Sequence, residues 1–165
     1  VRCSGQRGPM MRLRWTVFAL SLGVAVAVLM ADRSDAAELW PVPGGIVRDF
    51  DPPDPDWLPG HRGIDLAAAP GGRLVTPRAG VVQFTGSVAG TPVVTVAHGA
   101  LRATYQPAVA TADIGFSVPA GGTLGSVAAG GHCSDRCLHW GAILNGRYVD
   151  PRLLLGHTHV ELRPL

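Results

Sequence analysis

From Gly80 onward, glycine repeatedly cuts the chain into short pieces rich in β-branched residues. The runs are GVVQFTG (80–86), PVVTVAHG (92–99), LRATYQP (101–107), TLGSVAAGG (123–131), CLHWGAIL (137–144) and RYVDP (147–151). β-Branched side chains are stiff on a helix and pack well on a pleated surface. Runs of four to eight residues at this spacing, separated by turn residues, predict an all-β sandwich or barrel. No amphipathic segment of 18 residues interrupts them after residue 36. The piece DPRLLLG (150–156) is expected to form a short turn of helix.

The 165 residues suffice for one domain. The first 36 are expected to lie outside it, as a signal peptide helix. Arg12 and Arg14 precede an uncharged run, Trp15–Ala31, and Ser34-Asp35-Ala36 offers a small-x-small cleavage site. The alternative is an uncleaved anchor helix, for which a run of this length is at the short end. Met10 and Met11 stand where such a leader begins, which makes residues 1–9, with Cys3, an upstream extension. The expected organisation is a leader over 1–36, a Pro-rich entry segment over 37–60, one small antiparallel β domain over 61–155 and a flexible tail over 156–165. The leader implies a secreted or cell-envelope protein.

From Ala37 on there are nine arginines, no lysine, and ten aspartates plus glutamates. This near-neutral balance speaks against nucleic acid and against an anionic membrane surface as partners. Membrane contact is expected only through an uncleaved leader. Cys133 and Cys137 remain, and in an exported chain a pair is expected to be a disulfide. A free pair is the alternative. In that case Cys137 becomes a possible zinc ligand that closes a coordination sphere.

GHRGID places His61 and Asp65 four residues apart, beside the Pro-rich stretch holding Pro52, Pro53, Pro55 and Pro59. Imidazole and carboxylate are ordinary zinc ligands, and a catalytic zinc needs three protein ligands with one position left open. If 137–143 is a strand, alternation sets Cys137 and His139 on one face and Leu138 and Trp140 on the other. Taken separately these are weak signals. Taken in order, HRGIDLAAAPGGRLVTPRAGVVQFTG, VVTVAHG, LRATY, VPAGGTLGSV, CLHWG and GRYVDP resemble the LytM/lysostaphin-type zinc endopeptidases of cell-wall metabolism. The resemblance spans roughly residues 40 to 155 and implies a small antiparallel β domain, of duplicated-hybrid or barrel-sandwich type, with zinc in a groove. It implies His61, Asp65 and His139 as the metal ligands. The implied activity is metal-assisted hydrolysis of the stem or cross-bridge peptides of peptidoglycan by a monomer.

Two positions depart from the family pattern. The first histidine of the family's HxH is Cys137 here, and Pro107 stands where the family has a second catalytic histidine. Glutamate is nearly absent after residue 36, with only Glu38 and Glu161, which also excludes an HExxH mechanism. His132, five residues before Cys137, is the expected replacement for the missing proton-handling groups. His98 is expected to be structural, and His157 and His159 to lie in a solvated tail. Arg62 and Arg102 are candidates to face an acidic stem peptide, with solvated surface as the alternative. The competing function is a zinc-binding but non-catalytic wall module that binds or regulates other wall hydrolases. A carrier domain is set aside, because it needs a lysine to modify and the chain has none.

Overall fold

The computed structural model describes residues 38–55 and 57–156. The expected leader and the tail histidines His157 and His159 lie outside them. Among the described residues no helix is long and apolar enough to cross a membrane.

The described chain is built of antiparallel strands. They are β1 (Ile46–Arg48), β2 (Gly63–Ala67), β3 (Arg73–Val75), β4 (Gly80–Val88), β5 (Thr91–His98), β6 (Leu101–Gln106), β7 (Ala108–Ala110), β8 (Ser117–Val118), β9 (Thr123–Val127), β10 (Cys137–Leu144) and β11 (Arg147–Val149). A 3₁₀ turn, Pro151–Leu155, follows. Asp150 caps it by accepting a hydrogen bond from the Arg152 amide, and Gly156 ends it in the left-handed conformation. The large sheet runs β1-β2-β10-β6-β5-β4-β8, with β11 also paired to β10, and the small sheet runs β3-β9-β7.

The core lies where the inner faces meet. Val94 and Val96 of β5, Ala103 and Tyr105 of β6, and Leu138 and Trp140 of β10 pack in one cluster with Leu74, Leu124 and Val127 of the small sheet. Trp140 is fully buried. Truncating such a side chain to alanine typically costs about 3–5 kcal/mol.

The start of the expected Pro-rich entry segment is woven into this core. Trp40 sets its ring edge-on to Trp140, with centroids 6.0 Å apart, and Val42 is buried. Val75 donates a backbone hydrogen bond to Pro41, and Ala67 donates one to Gly45. Gly44 permits the approach, since a Cβ there would lie 1.7 Å from the Ala67 carbonyl oxygen. The Pro-rich stretch is irregular, as expected, but it is closed by paired backbone hydrogen bonds between Asp51 and His61 of 2.9 and 2.7 Å.

Candidate metal centre

β10 is the strand on which the site is built. Its even positions Leu138, Trp140 and Ala142 go into the core, which sends His139 to the opposite face. On β2, Ile64 and Leu66 are fully buried in the core, so Asp65 points the other way. The β2–β10 register sets His139 directly opposite Asp65, and directly opposed residues share a face and touch. His61 precedes β2, and the Asp51–His61 bridge folds it over the same spot.

The three side chains meet closely. His61 Nε2 lies 3.0 Å from Asp65 Oδ1 and 3.1 Å from His139 Nδ1, and His139 Nδ1 lies 2.8 Å from Asp65 Oδ1. A tetrahedral zinc with bonds of about 2.0–2.1 Å separates its donor atoms by about 3.3–3.4 Å. Spreading this triangle by roughly half an ångström or less therefore accommodates the ion. His61 Nδ1 pairs with the Asp49 backbone carbonyl. A carbonyl only accepts, so Nδ1 carries the proton and Nε2 presents its lone pair to the metal. The donor set and its outer support both fit zinc.

Gly63 makes room for this arrangement. It sits opposite Gly141 across the two strands, and a Cβ on Gly63 would come within 2.7 Å of the His139 ring and 2.6 Å of the Trp140 carbonyl. Burial pushes the Asp65 carboxyl up. Hydrogen bonds from His139 and His132, with their charge, outweigh this and hold it well below the usual carboxylate range.

His132 is the fourth member of the cluster. Its Nε2 lies 2.8 Å from Asp65 Oδ2, the oxygen not shared with His61 and His139. One donor atom from each of His61, Asp65, His132 and His139 lies within 4.8 Å of every other. The loop that carries His132 lies against both positions where the chain departs from the family pattern. Cys137 is bonded to Cys133, which agrees with the expected disulfide and removes Cys137 as a thiolate ligand in this state. Gly131, in the left-handed conformation, lies against Pro107, where an added Cβ would meet Pro107 Cδ at 2.9 Å. The Asp135 carboxylate accepts a hydrogen bond from the Gly130 amide and closes the same loop.

The site opens into a groove of about 770 Å³. Among the described residues, Arg48, Arg62 and Arg102 line it, and no acidic residue does. Arg48 pairs in register with Asp65 across β1–β2. Arg62 lies over the Tyr148 ring at 5.7 Å and donates to the Leu58 carbonyl. His98 stands apart from this cluster. Burial lowers its pKa, while its ring bonds the Ala79 carbonyl, which suits the structural role expected for it. The Asp49 carbonyl, Gly63, Arg48 and Tyr148 were not singled out in the sequence. Of these only Gly63 carries a local signal, as the small residue inside HRGID.

The sequence profile of peptidase family M23 matches residues 59–151. Proteins of Mycobacterium bovis and Mycobacterium tuberculosis, both named as uncharacterised, are 43% identical over 144 residues. The match covers 82% of this chain and 58% of theirs, so the chain spans somewhat over half the length of these relatives. Among solved structures, a candidate M23 peptidase of Pseudomonas aeruginosa is 26% identical with a TM-score of 0.60, over 87% of this chain and 63% of that one. The catalytic domain of the prophage-encoded M23 protein EnpA of Enterococcus faecalis is 25% identical with a TM-score of 0.57, over 66% and 89% of the two chains. Lysostaphin, at 19% identity and a TM-score of 0.59 over 72% and 53%, shares the fold. With a family profile covering more than half of its residues, and an antiparallel β fold shared with these structures, this chain belongs to peptidase family M23.

Proposed function

We propose that the chain is an exported zinc-dependent endopeptidase that hydrolyses peptide bonds of peptidoglycan at the cell envelope. The observation that carries this reading is the triangle of donor atoms, no side longer than 3.1 Å, formed by His61 and His139 at the groove and the buried Asp65. These three residues would hold the zinc. When bound, zinc polarises a peptide carbonyl and lowers the pKa of water.

The protein's own groups supply the rest. The Asp49 carbonyl keeps the proton of His61 on Nδ1, and the Asp65 carboxylate stays ionised. The arginine-lined wall suits the carboxylates of an acidic stem peptide. His132 is assigned the proton transfers: its Nε2 donates to the ionised Asp65 carboxylate, and the imidazole gives a proton to the departing amine. Among the described residues it is the one histidine in the groove beyond the two ligands. Of the two residues that stand where the family has its proton-handling histidines, Cys137 fastens the His132 loop through its bridge, and Pro107 lies beside Gly131 of that loop.

The test is digestion of crosslinked peptidoglycan by the zinc-loaded protein. His132→Ala is expected to keep zinc and fold and to lose about 10²–10⁴ of the rate. If His132→Ala digests wall as fast as the parent, the proton-handling role is wrong. The second reading is a zinc-binding module that regulates other wall hydrolases, favoured by the loss of both family-type histidines. Zinc bound by the parent, with no hydrolysis of any wall preparation, would make it the better one.

A further inference from the structure

We infer that reduction of the Cys133–Cys137 bridge creates a second metal site, distinct from that of His61, Asp65 and His139. Its ligands are the two cysteine thiolates, His132 Nε2 and Asp65 Oδ2. One donor atom from each of Asp65, His132, Cys133 and Cys137 lies within 4.8 Å of every other. The spacing of the two cysteines, with three residues between them, falls within the range of zinc-binding pairs. Two thiolates, one imidazole and one carboxylate make a closed, soft set that suits zinc.

The two oxygens of Asp65 divide between the sites. Oδ1 faces His61 and His139, whereas Oδ2 faces His132. The carboxylate is thus placed to bridge two ions, not to choose between them. The loop can supply the movement that the thiolates need. On a tetrahedral zinc the sulfurs must part to about 3.8 Å, from Zn–S bonds of about 2.3 Å. Gly130, Gly131, Ser134 and Asp135 all have left-handed φ values of 52–101°, a conformation that disfavours Ser134 relative to glycine. Opening the bridge frees the loop to adjust.

The chemistry balances with a dithiol reductant. Two electrons and two protons pass to the disulfide, the S–S bond breaks, and the reductant becomes its own disulfide. Metal binding then displaces the two thiol protons to water. Reducing compartments maintain the dithiol form. On the peptidase reading given above, that form would tie up His132, so the chain would bind metal and stay idle until the bridge closed. The second site itself does not depend on that reading.

Cobalt is the probe, because thiolate ligation gives it a charge-transfer band that nitrogen and oxygen ligands do not. The oxidised full-length chain is expected to take up one cobalt without that band. After reduction by a dithiol, removed before metal addition, it is expected to take up two and show the band. His61→Ala, reduced, should keep the band at one cobalt. His132→Ala, reduced, should bind the second ion at least tenfold more weakly. A reduced protein that still binds one cobalt without the band overturns the inference. So does an undiminished band in His132→Ala, which would mean that the cysteine pair binds without the folded site. Loss of wall digestion alone bears on the peptidase reading and leaves these metal counts unaffected.

Discussion

At the scale of single residues, the site depends on atoms that are absent as well as on those present. Gly63 has no side chain where the His139 ring and the Trp140 carbonyl pass. Neither neighbour can yield cheaply, since one is backbone and the other is held against Asp65. Gly63→Ala is therefore expected to cost about 1–3 kcal/mol of stability, as overpacking does. It should also weaken zinc binding by roughly 10–100-fold, as loss of a ligand's support does. Chelator competition and urea unfolding measure the two effects, and unchanged zinc affinity would show that the His139 ring is not held by this gap. The ligand types could be read from HRGID and CLHWG. The contact between His132 and Asp65 could not, because 67 residues separate them and only folding brings them together.

At the scale of elements, the loop Gly130–Cys137 is a small device with a small stake in global stability. Closing a loop of about five residues is worth about 2 kcal/mol on the chain-entropy account. Replacing both cysteines by serine should cost about that much in urea unfolding, leave about one zinc bound, and lower wall digestion toward the level of His132→Ala. Full activity in the double-serine protein would separate the bridge from the placement of His132. The longer strands were legible because β-branched residues concentrate in them: β4, β5, β6, β9 and β10 all overlap the runs read from the sequence. The strands β1, β3, β7 and β8 have two or three residues each and exist through their partners, so no local pattern marks them. β2 was hidden differently. Its five residues follow directly on the Pro-rich stretch, and Asp65 belongs to the strand and not to the loop.

At the scale of the whole molecule, the all-β fold follows from the glycine-cut runs, while the part played by residues 38–48 does not. Pro41 and Pro43 break any pattern around Trp40 and Val42, yet tertiary packing draws that stretch into the core. Trp40→Ala should accordingly lower the stability of the whole domain by about 0.5–3 kcal/mol, in a single cooperative transition. An unchanged midpoint would make the segment a strap and not part of the core. The central claim, that the groove of this M23 chain is a zinc site held by His61, Asp65 and His139, is tested most directly by the metal content of the purified, oxidised protein and its variants. The account predicts about one zinc per chain, retained by His132→Ala and lost by Asp65→Ala and His139→Ala. A folded parent with no zinc above background, or an Asp65→Ala protein that keeps its zinc, would contradict it.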